Sequence, residues 1–245
     1  MAPVGPGDER AGIHGPPVPL ITGPSRLPRG APITRSRAVL PTLAEQAQRL
    51  LDLDLHTVAG LTADALSQAA ERWGSERTDA LLAIDPALAP PSTLAPLMRR
   101  GDRPGFVVED MTDVDRFAPT GIEPTGQALY LVEDVDRGDE FAGASPAEAL
   151  AELTGRGRTP LLLSEGLLWV LQQPAALERN RCFMTIGSRR TKPDGTLDSR
   201  TPALWISNGS GRDGRERRDA PKLGWCWWNN RHTWLGIASA AGRSA

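Results

Sequence analysis

The sequence predicts an α+β fold: an N-terminal helical subdomain followed by a mixed, mostly antiparallel sheet with packed helices. Three observations predict it. Between residues 42 and 74 apolar residues recur at helical spacing behind recognisable capping residues. From residue 104 the pattern changes to short apolar runs bounded by turn residues, as strands require. Helices mixed with such strands, and a hairpin signal at the end, fit an α+β arrangement.

Residues 1–40 hold eight prolines and few large apolar side chains. They read as a disordered or extended arm, because burial cannot offset the entropy of ordering them. The helical subdomain spans 41–100. Thr42 with Glu45 forms a capping box, and Leu43, Ala47, Leu50 and Leu51 follow at helical spacing. A second helix starts after Thr62, carries Leu66, Ala69, Ala70 and Trp73, and stops at Gly74. Ser75 caps a third through Leu81 and Leu82, which Pro86 ends. A helical turn is expected over 94–98.

The α+β domain spans 101–245. Strands are expected at 105–108, 128–132, 181–186 and 203–207, with a Pro193-Asp194-Gly195 turn. Ser145-Pro146-Ala147-Glu148 opens a helix that ends near Gly155, and Ser164 opens an apolar helix interrupted by Pro174. Residues 224–236 carry four of the seven tryptophans, one of two cysteines and one of three histidines. Apolar residues run up to Asn229-Asn230 and resume after it, which predicts two paired strands with a two-residue turn. In that register Trp225, Trp227, His232 and Trp234 share the core face, while Cys226, Trp228, Arg231 and Thr233 share the other. Trp228 and Arg231 are then the exposed pair, with guanidinium over indole.

At 245 residues the chain is long enough to bury a sizeable core. No run approaches the roughly 18 apolar residues of a membrane span, and the N-terminus resembles no secretory signal. Two cysteines, Cys182 and Cys226, are too few for a disulfide framework and suit a reducing cytoplasm. Lysine occurs twice against 26 arginines, the mark of a GC-rich genome rather than of nucleic-acid binding. The net charge of −2 hides an asymmetry. Residues 1–155 carry −10 and residues 156–245 carry +8, so the halves attract each other, a second copy, or separate partners. Internal complementarity is the simplest of these, and a homo-oligomer is the alternative.

Several constellations invite chemistry. Gly209-Ser-Gly-Arg-Asp-Gly214 matches G-x-G-x-x-G, but no apolar helix follows to receive a pyrophosphate, so it reads as a basic loop. That loop has Arg212, Arg215, Arg217, Arg218 and Lys222, with Arg189, Arg190 and Lys192 in the preceding one. Without interleaved aromatics these arginines do not suit single-stranded nucleic acid. The acidic groups 109–115 and 133–140 lack the spacing of a calcium loop, so neither a metal nor another cofactor is expected. Cys226 and His232 would serve as nucleophile and base only if they shared a face. Trp228, Asn229, Asn230, Arg231 and His232 remain as a ligand site, since indole beside amides suits planar or cationic ligands or a partner surface.

Pro-Gly-Phe-Val-Val (104–108), Gly-Arg-Thr-Pro-Leu-Leu-Leu-Ser-Glu-Gly (157–166), Pro-Ala-Leu-Trp-Ile-Ser (202–207), Lys-Leu-Gly-Trp-Cys-Trp (222–227) and His-Thr-Trp-Leu-Gly (232–236) together resemble a family of uncharacterised actinobacterial proteins. The likeness leaves out the proline-rich arm and carries no known activity to any residue. The sequence therefore predicts a cytoplasmic domain that binds a small molecule or protein at the tryptophan hairpin and the neighbouring arginine-rich loop. The alternative is a small-molecule enzyme with His232 as acid–base and Arg231 as anion clamp in the same cleft.

Overall fold

The computed structural model describes residues 39–245, so the proline-rich arm, apart from Val39 and Leu40, lies outside the described residues. The helices are α1 (Leu43–Asp52), α2 (Leu55–Val58), α3 (Ala63–Trp73), α4 (Pro91–Leu94), α5 (Pro146–Gly155) and α6 (Leu163–Gln172). The first half carries β1 (Ala80–Ile84), β2 (Arg99–Arg100), β3 (Arg103–Pro104), β4 (Phe106–Val107), β5 (Ala118–Pro119) and β6 (Leu129–Glu133). Then come β7 (Thr159–Pro160), β8 (Cys182–Met184), β9 (Ser188–Arg189), β10 (Arg200–Ile206) and β11 (Pro221–Trp227). The last strands are β12 (Leu235–Ile237), β13 (Ser239–Ala240) and β14 (Gly242–Ser244). The fold class is α+β, with a helical N-terminal region and mostly antiparallel strand pairs.

Local chemistry accounts for the helix starts. Thr42 Oγ1 accepts the Glu45 N–H while the Glu45 carboxylate accepts the Thr42 N–H at 2.8 Å. Ser145 and Glu148 close the same box on α5, and Thr62 caps α3. α6 begins at Leu163, one residue before the expected Ser164, because the Glu165 carboxylate reaches back to the Leu162 N–H at 2.8 Å.

The helix expected from Ser75 to Pro86 is instead β1. Its Ala-Leu-Leu-Ala-Ile run is buried at every position, so it has neither the alternation of a half-exposed strand nor the stripe of an amphipathic helix. A short apolar run is ambiguous between the two. The pairing that decides it is nonlocal: β1 runs antiparallel to β6, with Leu82 opposite Leu131, and β14 pairs with the far side of β6. The outer edge of β1 is met by a side chain of α1. The Gln46 amide donates to Ala80 O at 3.0 Å and its oxygen accepts the Leu82 N–H at 2.8 Å, as a neighbouring strand would.

The larger sheet has the order β12-β8-β10-β11-β4. α6 packs on it closely enough that a Cβ on Gly166 would lie 2.4 Å from Thr185 Cγ2. One hydrophobic cluster holds residues of both sheets and of the helices, from Leu43 and Leu82 to Phe183 and Leu223.

The oppositely charged halves meet within the chain. Asp110, Asp113, Asp134, Asp139, Glu140 and Glu148 of the acidic half pair with Arg212, Arg190, Arg158, Arg181, Arg156 and Arg231 of the basic half.

Candidate functional site

The expected hairpin does not form. β12 runs parallel to β8, β8 antiparallel to β10, and β10 antiparallel to β11. β11 and β12 therefore point the same way, with two strands between them, whereas a hairpin needs antiparallel neighbours. Asn229-Asn230 does lie in a turn, closed by the Asn230 N–H donating to Trp227 O at 3.0 Å. Beyond it, residues 228–234 cross back to the starting level of β11. Trp234 there packs edge-on to Trp205, ring centroids 6.2 Å apart. Gly224 leaves the room, since a Cβ there would sit 2.4 Å from the Trp205 ring. Turn chemistry supplied the turn, while β10 took one edge of β11 over seven paired positions and β4 the start of the other.

Along β11 the facing is the reverse of the expected one, although His232 is buried and Arg231 exposed as expected. Arg200 lies opposite Trp227, Thr201 opposite Cys226 and Pro202 opposite Trp225, and opposed residues share a face. Cys226 and Thr201 are buried, whereas Trp227 is 42 % exposed. Trp225 packs against Trp227 edge-to-face at 4.6 Å and donates its indole N–H to Asp110 at 3.3 Å. Asp110 also accepts from Arg212, so it ties the basic loop to this end of β11.

Trp228 continues the strand by donating its N–H to Ser199 O at 2.7 Å. The guanidinium over its indole belongs to Arg189, 3.9 Å from the ring centroid, not to Arg231. Arg231 turns away and pairs with Glu148, whose carboxyl is held near pH 2 by that bond and by the Ser145 N–H. Beside Trp225, Asp113 and Asp198 are each bonded by Arg190 and Arg200. Arg200 above all keeps Asp113 below the usual carboxylate range. Burial acts to raise Asp198, but its bonds to Arg200 outweigh that and lower it.

The remaining expected site residues are dispersed. His232 is buried, its ring 5.7 Å from that of Trp234, and Nε2 has no hydrogen-bond partner among the described residues. Burial lowers its pKa, so the neutral imidazole prevails at pH 7. Burial pushes the Cys226 thiol up to about 12, and Cys182 is also free and buried. Asn229 and Asn230 are exposed. In the basic loop Arg217 lies over Phe106 at 4.6 Å, Arg218 donates to Asn208 O at 3.1 Å, and Arg215 is exposed. Gly209, Gly211 and Gly214 all take positive φ, and only 3-10 turns follow them. The structure thus places Trp225 and Trp227 with Arg200 and, through Asp110, Arg212 on one face of β11, and Trp228 under Arg189 on the other. Arg189 had no signal in the sequence beyond its place in an arginine run.

Fold and site together define an α+β protein with an indole and guanidinium cluster at one end of its larger sheet. The chain belongs to DUF5701, a family of unknown function, whose model matches residues 49–245. That span covers the helical region from within α1 and omits the proline-rich arm. No curated protein and no solved structure matches the chain. Among the described residues no helix is long and apolar enough to cross a membrane.

Proposed function

We propose that the chain is a binding protein whose site is the tryptophan-lined end of β11, extended by Arg212 of the basic loop. The observation that carries this reading is Trp227. A large indole left 42 % exposed at a strand end, braced edge-to-face by Trp225, is costly to leave in water and ready to cover a planar or apolar group. The surrounding arginines, fixed by Asp113, Asp198 and Asp110, supply polar groups that orient what lands there. A cytoplasmic, GC-rich actinobacterial setting belongs to the same reading, supported by two free buried cysteines and by 26 arginines against two lysines. The enzyme alternative requires Arg231 to leave Glu148 and a substrate to reach the buried His232 imidazole. The binding reading requires neither.

A small-molecule screen read by tryptophan fluorescence tests it. Ligands should perturb the wild type saturably and lose most of that effect in Trp227→Ala. Ligands that act equally on both proteins, or a screen in which none acts, would overturn the placement.

A further inference from the structure

Above Trp228 lies a buried charge with no carboxylate in contact, attracted only at longer range by Asp198. Arg189 is only 6 % exposed, yet no carboxylate among the described residues lies within ion-pair distance of it. Among the described residues its guanidinium makes one hydrogen bond, from Nη2 to the backbone oxygen of Asp198 at 2.5 Å. Nε is buried and unbonded, and Nη1 likewise has no hydrogen-bond partner among the described residues. Trp228 lies under the guanidinium plane at 3.9 Å, which compensates part of the charge but uses none of the N–H donors. Next to it, Arg190 and Arg200 share Asp113 and Asp198. The group thus holds three guanidinium cations against two carboxylates, one negative charge short. Burial correspondingly lowers the Arg189 pKa. A buried ion without a partner is among the more costly features a fold carries, and a bound anion would remove that cost.

We infer that Arg189, seated on Trp228, is the receptor for the carboxylate of a small monoanionic ligand, whose apolar part packs against the half-buried Trp228 indole. The inference rests on the binding reading above and names its ligand class. A single negative charge is what the cluster lacks; a carboxylate supplies it in line with the guanidinium donors, whereas a dianion brings one charge too many.

Benzoate, acetate and inorganic phosphate, titrated at constant ionic strength and at pH 8.5, where phosphate is a dianion, test it through tryptophan fluorescence and the melting temperature. Benzoate should bind saturably to the wild type and raise its melting temperature by mass action, with acetate weaker and phosphate weaker still. Arg189→Gln should weaken benzoate about ten- to a hundredfold, the value of a charge-assisted hydrogen bond. Should that variant fail to fold, Arg189→Lys keeps the charge without the fork and should still weaken benzoate several-fold. Equal benzoate affinity in wild type and variant, tighter binding of phosphate, or no saturable benzoate binding to the wild type would overturn the inference. The broader binding reading would survive any of these if other ligands still depended on Trp227.

Discussion

Arg243 grips Glu165 through a two-pronged contact: Nε donates to one carboxylate oxygen and Nη2 to the other, each at 2.6 Å. Glu165 is wholly buried and also accepts from the Tyr130 hydroxyl at 2.9 Å and from the Leu162 N–H. The guanidinium continues to Thr159 Oγ1 and Pro160 O. One ion pair thereby joins β14, β6, β7 and the start of α6.

Removing one partner of a buried pair leaves the other charge uncompensated. Arg243→Ala should cost about 3–5 kcal/mol on that ground. Urea denaturation checks this. A loss below about 1 kcal/mol would mean that Glu165 is neutralised in some other way.

Gly166 sits in the middle of α6, where alanine has the better helix propensity by about 1 kcal/mol. Here the substitution should destabilise by about 1–3 kcal/mol net, as overpacking does. The new methyl would meet Thr185 Cγ2 at 2.4 Å and Phe183 at 3.2 Å, and neither buried side chain has room to give. A rise in melting temperature for Gly166→Ala would show that α6 moves off the sheet easily.

Trp227→Ala should cost only about 0.5–1.5 kcal/mol, the value of its edge-to-face contact with Trp225. Phe183→Ala, which empties the core where that ring stacks on Trp169 at 5.1 Å, should cost about 3–5 kcal/mol. Paired unfolding curves decide it, and a large loss for Trp227→Ala would make that indole structural rather than functional.

The Glu148 carboxyl should titrate near pH 2 in the native protein, against an ordinary 4.5. In Arg231→Gln it should move part of the way back up, because Ser145 still bonds it. The depressed folded-state value gives the Arg231 contact a stabilising effect that is present above pH about 4.5 and fades as pH falls through about 2. Carboxyl carbon shifts followed by NMR measure both midpoints, and identical midpoints would rule out the coupling.

Sequence reading succeeded where the determining physics is local. Thr42 with Glu45 and Ser145 with Glu148 set their helices through contacts three residues long. It failed where pairing partners lie far away in sequence. The apolar run 80–84 becomes a strand because residues 129–133 lie beside it. The stretch after Asn230 forms no hairpin: residues 200–206 take one edge of β11, β4 pairs with the start of the other, and 235–237 pair with β8 instead. The site followed the same rule. Trp228 was legible as a candidate from its neighbours, but the cation above it comes from Arg189, nearly forty positions earlier. The charge asymmetry was legible as a sum, and only the fold assigned Asp113 to Arg190 and Arg200.

The Gln46 amide has a bearing on solubility. The unpaired edge of a strand as apolar as β1 is a template on which a strand from another molecule could grow. Gln46 occupies the donor and acceptor that such a recruit would need. Gln46→Leu would perfect the greasy stripe of α1 yet leave Ala80 O and the Leu82 N–H unpaired in the core, loosening the helix that covers that template. The exchange that most improves the helix by its own rules is therefore the one that should turn this protein toward aggregation.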